Sequence, residues 1–67
     1  MNFYLFRNSF VSLKNVKRVD CTERANQSAI RFGVRVSYFG GETSELENLT
    51  IEEQEKIFKE ICNILSK

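Results

Sequence analysis

The stretch IRFGVRVSYFGGE, residues 30–42, alternates apolar and polar side chains as far as Tyr38 and then reaches two glycines before Glu42. A period of two residues is typical of a β-strand with one buried face. The GGE segment predicts a three-residue hairpin loop in which a glycine takes a left-handed conformation. We therefore expect the central strand of an antiparallel sheet over residues 28–39, followed by a short partner strand over residues 43–48.

Turn residues divide the chain upstream of this strand into three further strands. RNS at residues 7–9 separates FYLF from FVSL, which indicates a tight turn between strands over residues 2–6 and 9–13. Val19 and Cys21 then alternate with polar neighbours, which predicts a strand over residues 17–24 that is closed by the turn ERANQS.

The last predicted element is a helix over residues 51–66. Thr50 and Glu53 fit the capping box, in which each side chain accepts a hydrogen bond from the backbone of the other residue. The apolar side chains of the helix form one broad stripe: Ile51, Ile57, Phe58, Ile61, Cys62, Ile64 and Leu65. We expect Phe58 to lie at the centre of this stripe.

These elements predict an α+β domain, with four to five strands in an antiparallel sheet and the C-terminal helix packed across one face. No proline, low-complexity segment or repeat divides the chain, so residues 1–67 are expected to form a single domain. A chain of this length buries only about 60% of the surface that its unfolded form exposes. Such chains usually gain stability from disulfides, a metal or a partner subunit.

The residue types present exclude several kinds of chemistry. The chain contains no histidine, which removes imidazole as a base, as the partner of a nucleophile or as a metal ligand within one chain. Cys21 and Cys62 lack the paired spacing of a zinc site, and we expect two buried thiols, with a redox pair as the alternative. Asp20, Glu45 and Glu47 suggest a carboxylate site, but arginines on the same face favour mutual neutralisation. We therefore expect no catalytic activity, no cofactor and no metal.

The net charge of +1 provides little attraction for nucleic acid or for an anionic membrane. Residues 1–35 carry seven basic and two acidic side chains, a net of +5, and residues 36–67 carry three basic and seven acidic side chains, a net of −4. The opening MNFYLF is shorter than the apolar region of a signal peptide, and no segment approaches the ~20 apolar residues of a membrane-spanning helix. The sequence thus favours a cytoplasmic protein without membrane contact, and free cysteines fit a reducing compartment.

Arg31 and Arg35 lie among aromatic residues on the central strand, a combination that also occurs where proteins hold single-stranded nucleic acid. Keeping the apolar faces together favours a register with three pairs: Val19 with Phe32, Cys21 with Ile30, and Val36 with Leu46. Asp20 then lies opposite Arg31, and Glu47 lies opposite Arg35. Since a guanidinium group paired with a carboxylate attracts phosphate only weakly, we expect both arginines to stabilise the sheet instead.

The N-terminal strand FYLF is apolar on both faces, whereas one helix covers only one face of a small sheet. We expect Phe3 and Leu5 to face the core and the other two side chains to remain uncovered. Exposed apolar patches of this kind usually mark an interface. The candidate interface residues are Tyr4, Phe6, Phe10 and Phe39. They predict a protein-interaction module that forms a homodimer, with another protein as a further partner.

The alternative function is a nucleic-acid-binding module that uses basic residues of the strands at the sheet edge. Its candidate contacts are Lys14, Lys17, Arg18 and Arg24. Nucleic acid is the less favoured partner, because affinity for phosphates depends on how many of them a basic surface neutralises.

The chain resembles a group of short, uncharacterised bacterial and phage proteins over all 67 residues. The resemblance rests on the N-terminal strand pair, the segment FVSLKNVKRVDC, a long strand with YFGGETSELENL, and the helix TIEEQEKIFKEICNIL. The order of strand, hairpin and helix is also similar to the C-terminal half of pleckstrin-homology-like domains, which are binding modules. The resemblance implies a binding role and a bacterial or phage origin, and it carries over no catalytic residue.

Overall fold

The structure, a computed structural model, describes residues 3–25 and 28–66. The elements in chain order are β1 (Phe3–Phe6), β2 (Ser9–Ser12), β3 (Val16–Ala25), β4 (Ile30–Tyr38), β5 (Thr43–Leu49) and α1 (Ile51–Leu65). The predicted α+β class, with antiparallel strands and a C-terminal helix, is confirmed. The strands form two sheets, a β1–β2 hairpin and a three-stranded sheet in the order β3-β4-β5.

The register between β3 and β4 differs from the prediction. Val19 lies opposite Val36, four residues further along β4 than the predicted partner Phe32, and Cys21 lies opposite Val34. On the other side of β4, Leu46 pairs with Val34 rather than with Val36. A shift by an even number of residues leaves the same side chains facing the core. The hydrophobic pattern therefore could not distinguish these registers.

Two bulges bend the outer strands of the three-stranded sheet. Lys17 is an extra residue in β3, because the pairing shifts between Val16 and Arg18. In β5, Glu47 and Asn48 together lie opposite Gly33, and Asn48 has a left-handed φ of 60°. Asparagine tolerates this conformation better than most residues, and such bulges increase the local bend of a strand.

Gly33 lies at the β5 bulge and is buried. A Cβ atom at this position would be 2.6 Å from Thr22 Oγ1 and 2.7 Å from the backbone oxygen of Leu46. Both distances are below van der Waals contact, so only glycine fits without displacement of a neighbouring strand. In the β4–β5 turn the predicted left-handed glycine is Gly41, whose φ is 91°.

The core lies between the three-stranded sheet, the hairpin and α1. Its buried apolar residues are Val11, Leu13, Val34, Val36, Leu46, Leu49, Ile57 and Ile61. On α1, Ile57 and Ile61 are completely buried, whereas Phe58 is only partly buried. The prediction that Phe58 lies at the centre of the stripe is therefore wrong. The buried face of the helix is instead formed by Gln54, Ile57 and Ile61.

The N-terminus of α1 has the predicted capping box. The backbone N–H of Glu53 donates to Thr50 Oγ1 at 3.1 Å, and the backbone N–H of Thr50 donates to Glu53 Oε1 at 3.0 Å. The hydrogen bond from the Thr50 backbone is the largest cause that lowers the pKa of Glu53, and Arg7 lowers it further. These contacts determine where the helix begins.

Gln54, in the first turn of α1, is a buried polar side chain at the centre of the fold, and its relative exposure is 6%. Its Nε2 donates to the backbone oxygens of Thr22 in β3 and Gly33 in β4, each at 2.9 Å. Gln54 therefore joins the helix to two strands at the level of the β5 bulge. No sequence pattern predicts this role, because a glutamine near a helix start is usually exposed.

Side-chain contacts hold the β1–β2 hairpin against the rest of the domain. The hydroxyl of Tyr4 donates to the carboxylate of Glu60, and Arg7 Nη2 donates to Glu53 Oε2 at 2.5 Å. The hydroxyl of Tyr38 donates to the backbone oxygen of Ser12 at 2.6 Å. The hairpin therefore contacts both α1 and β4, and its inner face closes the core.

Candidate interaction surface

The two faces of β1 are oriented opposite to the prediction. Tyr4 and Phe6 are partly buried and pack against the core, whereas Phe3 and Leu5 are 60% and 62% exposed. Tyr4 pairs with Val11, which is almost completely buried. The expectation that Phe3 and Leu5 face the core is therefore wrong. Packing decides between the faces, because period-two alternation identifies which side chains share a face but not which face is covered.

A signal in β2 pointed to this orientation. Val11 and Leu13 are apolar and lie one residue on either side of the polar Ser12. The tight turn at Arg7 and Asn8 pairs Tyr4 with Val11 and Phe3 with Ser12. The apolar side of β2 therefore lies beside Tyr4, and this comparison across the turn would have identified the buried face.

The exposed face of the hairpin is apolar. Leu5 lies directly opposite Phe10, which is 71% exposed, and Phe3 lies opposite Ser12. We call Phe3, Leu5 and Phe10 the hairpin outer face. Neither β1 nor β2 contains a charged side chain. At about 200 Å² for a fully exposed aromatic side chain, these three residues expose roughly 350–400 Å² of apolar surface, within the range of patches that are often functional.

Phe39, the fourth candidate interface residue, lies in the β4–β5 turn and is 73% exposed. Its backbone N–H donates to the backbone oxygen of Asn15 at 3.1 Å. Phe39 is thus next to the turn that leads from β2 into β3. Phe10 and Phe39 are both strongly exposed, as the interface prediction requires, while Tyr4 and Phe6 lie on the inner face of the hairpin.

The candidate nucleic-acid contacts do not form one basic patch. Arg18 Nε is 3.0 Å from Asp20 Oδ2, and Arg24 Nη2 is 3.7 Å from carboxylate oxygens of both Glu45 and Glu47. Lys14 and Lys17 are exposed at the opposite end of β3. Arg24 is seven positions after Lys17 along the strand, which is roughly 23 Å at the rise of an extended chain.

The arginines of the central strand have partners other than the predicted ones. Arg35 lies opposite both Asp20 and Glu45, and its Nη2 is 3.5 Å from Glu45 Oε1. The predicted pairing of Arg35 with Glu47 is wrong, and so is that of Arg31 with Asp20, because Arg31 lies opposite Arg24. Across residues 3–25 and 28–66, no ion pair of Arg31 is seen within 4.0 Å.

A shallow groove between β3 and α1 contains both cysteines and has a volume of about 770 Å³. Cys21 is exposed and Cys62 is partly buried, so the expectation of two buried thiols is wrong for Cys21. Its strand is at the edge of the sheet, and its side chain lines the groove together with residues of α1. Partial burial raises the pKa of the Cys21 thiol, and the nearby Cys62 raises it further. A raised pKa lowers the fraction of reactive thiolate at neutral pH.

No group of three or more carboxylate or thiol side chains in the described part of the chain is arranged to bind a metal ion. Within the same residues, no helix combines the length and the apolar character needed to span a membrane. In the comparisons with known proteins, no family model matches the chain, and no curated protein or solved structure does.

Proposed function

We propose that this chain is a small protein-interaction module that associates with a second copy of itself through its N-terminal hairpin. One observation carries the proposal: Leu5 and Phe10 face each other on two strands without charged side chains, and both are more than 60% exposed. The largest apolar patch on a protein surface is often a functional one. The proposal assigns the chain no catalytic residue and no cofactor.

The hairpin outer face supplies part of the surface that a dimer would bury. Two copies together expose roughly 700–800 Å² of apolar surface on these faces, and covering part of it favours association. Association costs about 4–15 kcal/mol in lost freedom of motion. The patch supplies about half of the ~800 Å² per partner that a standard interface buries, so the contact must include further residues of each chain.

A second copy fits this surface better than a charged partner does. The strands of the hairpin carry no charge, so two copies meet without electrostatic repulsion and without buried ions. A two-fold axis brings identical patches together and closes the assembly at two chains. A partner subunit also adds stability to a chain that buries little surface by itself.

Sedimentation of the wild-type chain and of the double variant Leu5→Ser with Phe10→Ser tests the proposal. At micromolar concentration we expect the wild type to have twice the 7.8 kDa mass of one chain and the double variant to be a folded monomer of lower stability. Ile30→Ser is the matched control, because Ile30 is 55% exposed but lies on β4 rather than on the hairpin. A wild type that remains a monomer at millimolar concentration would contradict the proposal.

A nucleic-acid-binding module is the second candidate, and the end of the molecule near Asn15 favours it. Lys14, Lys17 and the strongly exposed Phe39 belong to this region, and single strands are bound by cations next to aromatic rings on which bases stack. The test is fluorescence anisotropy of a labelled single-stranded oligonucleotide at low and moderate salt. Loss of binding in Lys14→Gln with Lys17→Gln, but not in Arg24→Gln, would support this candidate.

A further inference from the structure

Two of the edge strands of the fold, β1 and β3, are protected against further strand pairing to very different degrees. In the described residues, β3 pairs only with β4, and β1 pairs only with β2. β3 contains five charged side chains and a bulge at Lys17. Charged residues and bulges are the features with which proteins block pairing at a sheet edge. β1 contains no charge, no proline and no bulge, so its edge lacks all of them.

The backbone of β1 offers hydrogen-bonding groups on this edge. Arg7 and Asn8 form a two-residue loop, so the flanking pair Phe6–Ser9 is a hydrogen-bonded pair, and the bonding alternates from there along the hairpin. Tyr4 therefore bonds to β2, while the N–H and C=O groups of Leu5 point away from it. Leu5 is also one of the most exposed residues of the strand.

We propose that β1 pairs antiparallel with β1 of a second copy, so that two hairpins form one continuous four-stranded sheet across a two-fold axis. This inference rests on the proposed self-association and names its geometry: the contact is made by the β1 edge and the Leu5 side chains, and Phe10 on β2 lies one strand away from it. Antiparallel pairing of one strand with its own copy satisfies the outward groups of both chains. It also gives the outward side chain of Leu5 a neighbour on the same face of the joined sheet, where cross-strand apolar pairs are stabilising.

The alternative geometry is face-to-face packing of the two outer faces without strand pairing. In that arrangement the amide of Leu5 remains unpaired, and only the side chains are covered. Edge pairing instead makes the Leu5 amide a hydrogen-bond donor to the partner copy. The two geometries therefore differ in whether the backbone N–H of Leu5 is hydrogen-bonded.

Amide hydrogen exchange of the wild type, measured by NMR below and above the concentration at which it dimerises, tests this difference. We expect the exchange of the Leu5 amide to slow at least about tenfold on dimerisation, since hydrogen-bonded edge amides exchange only when the pairing opens. The amides of Tyr4 and Phe6, which bond to β2, serve as internal references and should be protected in both states. A Leu5 amide that exchanges equally fast in monomer and dimer would overturn edge pairing while leaving the proposed self-association intact.

A backbone substitution gives an independent test. Leu5→Pro removes the outward N–H but keeps an apolar side chain, and proline is tolerated where an edge N–H faces solvent. We expect Leu5→Pro to sediment as a folded monomer and the control Leu5→Val, which retains the N–H, to remain a dimer. A folded Leu5→Pro variant that still dimerises would refute edge pairing, and a wild type that never dimerises would refute self-association itself.

Discussion

Replacement of Gln54 by methionine would test the contact that joins α1 to the sheet. Methionine has nearly the same length and flexibility as glutamine but no hydrogen-bond donor. The change therefore removes both hydrogen bonds, to the backbone oxygens of Thr22 and Gly33, without creating a large cavity. Because Gln54 is 6% exposed, water has little access to replace the lost donor.

The expected loss follows from the two carbonyl groups that Gln54 serves. A buried acceptor left without its donor costs about 1–3 kcal/mol, and the thioether regains part of this by apolar burial. We expect the free energy of unfolding to fall by about 2–4 kcal/mol for Gln54→Met. The whole domain has roughly 3–10 kcal/mol of stability at about 0.05–0.15 kcal/mol per residue. The melting temperature should fall by about 10–20 °C.

Gln54→Glu separates the hydrogen-bonding effect from packing. A carboxylate only accepts hydrogen bonds, so it would face two carbonyl oxygens in a buried position, and burial would raise the pKa of the introduced group above its usual value. The proton-bound form donates one hydrogen bond, so the variant is most stable below the ordinary glutamate pKa of about 4.3. Relative to the wild type, Gln54→Glu loses stability as the pH rises through the raised pKa of the introduced carboxyl group.

Urea unfolding followed by far-ultraviolet circular dichroism measures these differences. The wild type and both variants are compared at the same pH, from about 4 to 8. We expect a deficit independent of pH for Gln54→Met and a deficit that grows with pH for Gln54→Glu. A Gln54→Met variant within about 0.5 kcal/mol of the wild type would show that the two hydrogen bonds do not hold the helix to the sheet.

Three further changes test the core, the hairpin and the sheet surface. Ile57→Val should lower the free energy of unfolding by about 0.5–1.5 kcal/mol. The matched control Ile64→Val, in the same helix but at a position 38% exposed, should lower it by less. Equal losses in urea unfolding would contradict the assigned helix orientation. Burial, followed by the carboxylate of Glu60, raises the pKa of Tyr4 to about 12. The contribution of Tyr4 to stability is therefore present below pH 10 and is lost as the pH rises towards 12. Alkaline unfolding of Tyr4→Phe should lack this loss. Arg35→Gln should cost under about 1 kcal/mol in thermal melts, with a smaller loss at high salt, because its contact with Glu45 is partly screened by water; a loss independent of salt would indicate packing instead.

Local order could be read from the sequence because neighbouring residues determine it. The alternation from Ile30 to Tyr38 identified the central strand, and the spacing of Thr50 and Glu53 identified the start of the helix. Both signals depend on geometry within a few residues, where the strand period and the hydrogen bonds of a helix end are the same in every protein. The α+β class follows from the order of these elements.

Tertiary packing decided the features on which the candidate surface depends. The register of β3 against β4 differs from the prediction by four residues, and both registers put the same side chains towards the core. By hydrophobicity alone, either Tyr4 or Leu5 could face the core. In the folded chain Tyr4 faces inward, where it lies opposite Val11 and donates a hydrogen bond to Glu60.

The burial of Gln54 similarly depends on two carbonyl groups that approach it only in the folded chain. The sequence by itself determined the types of the elements and their order. The folded chain decided the strand register and which face each element turns inward. Apolar periodicity repeats every two residues in a strand and so fits several registers, whereas a hydrogen bond or a packed side chain has a partner at only one position.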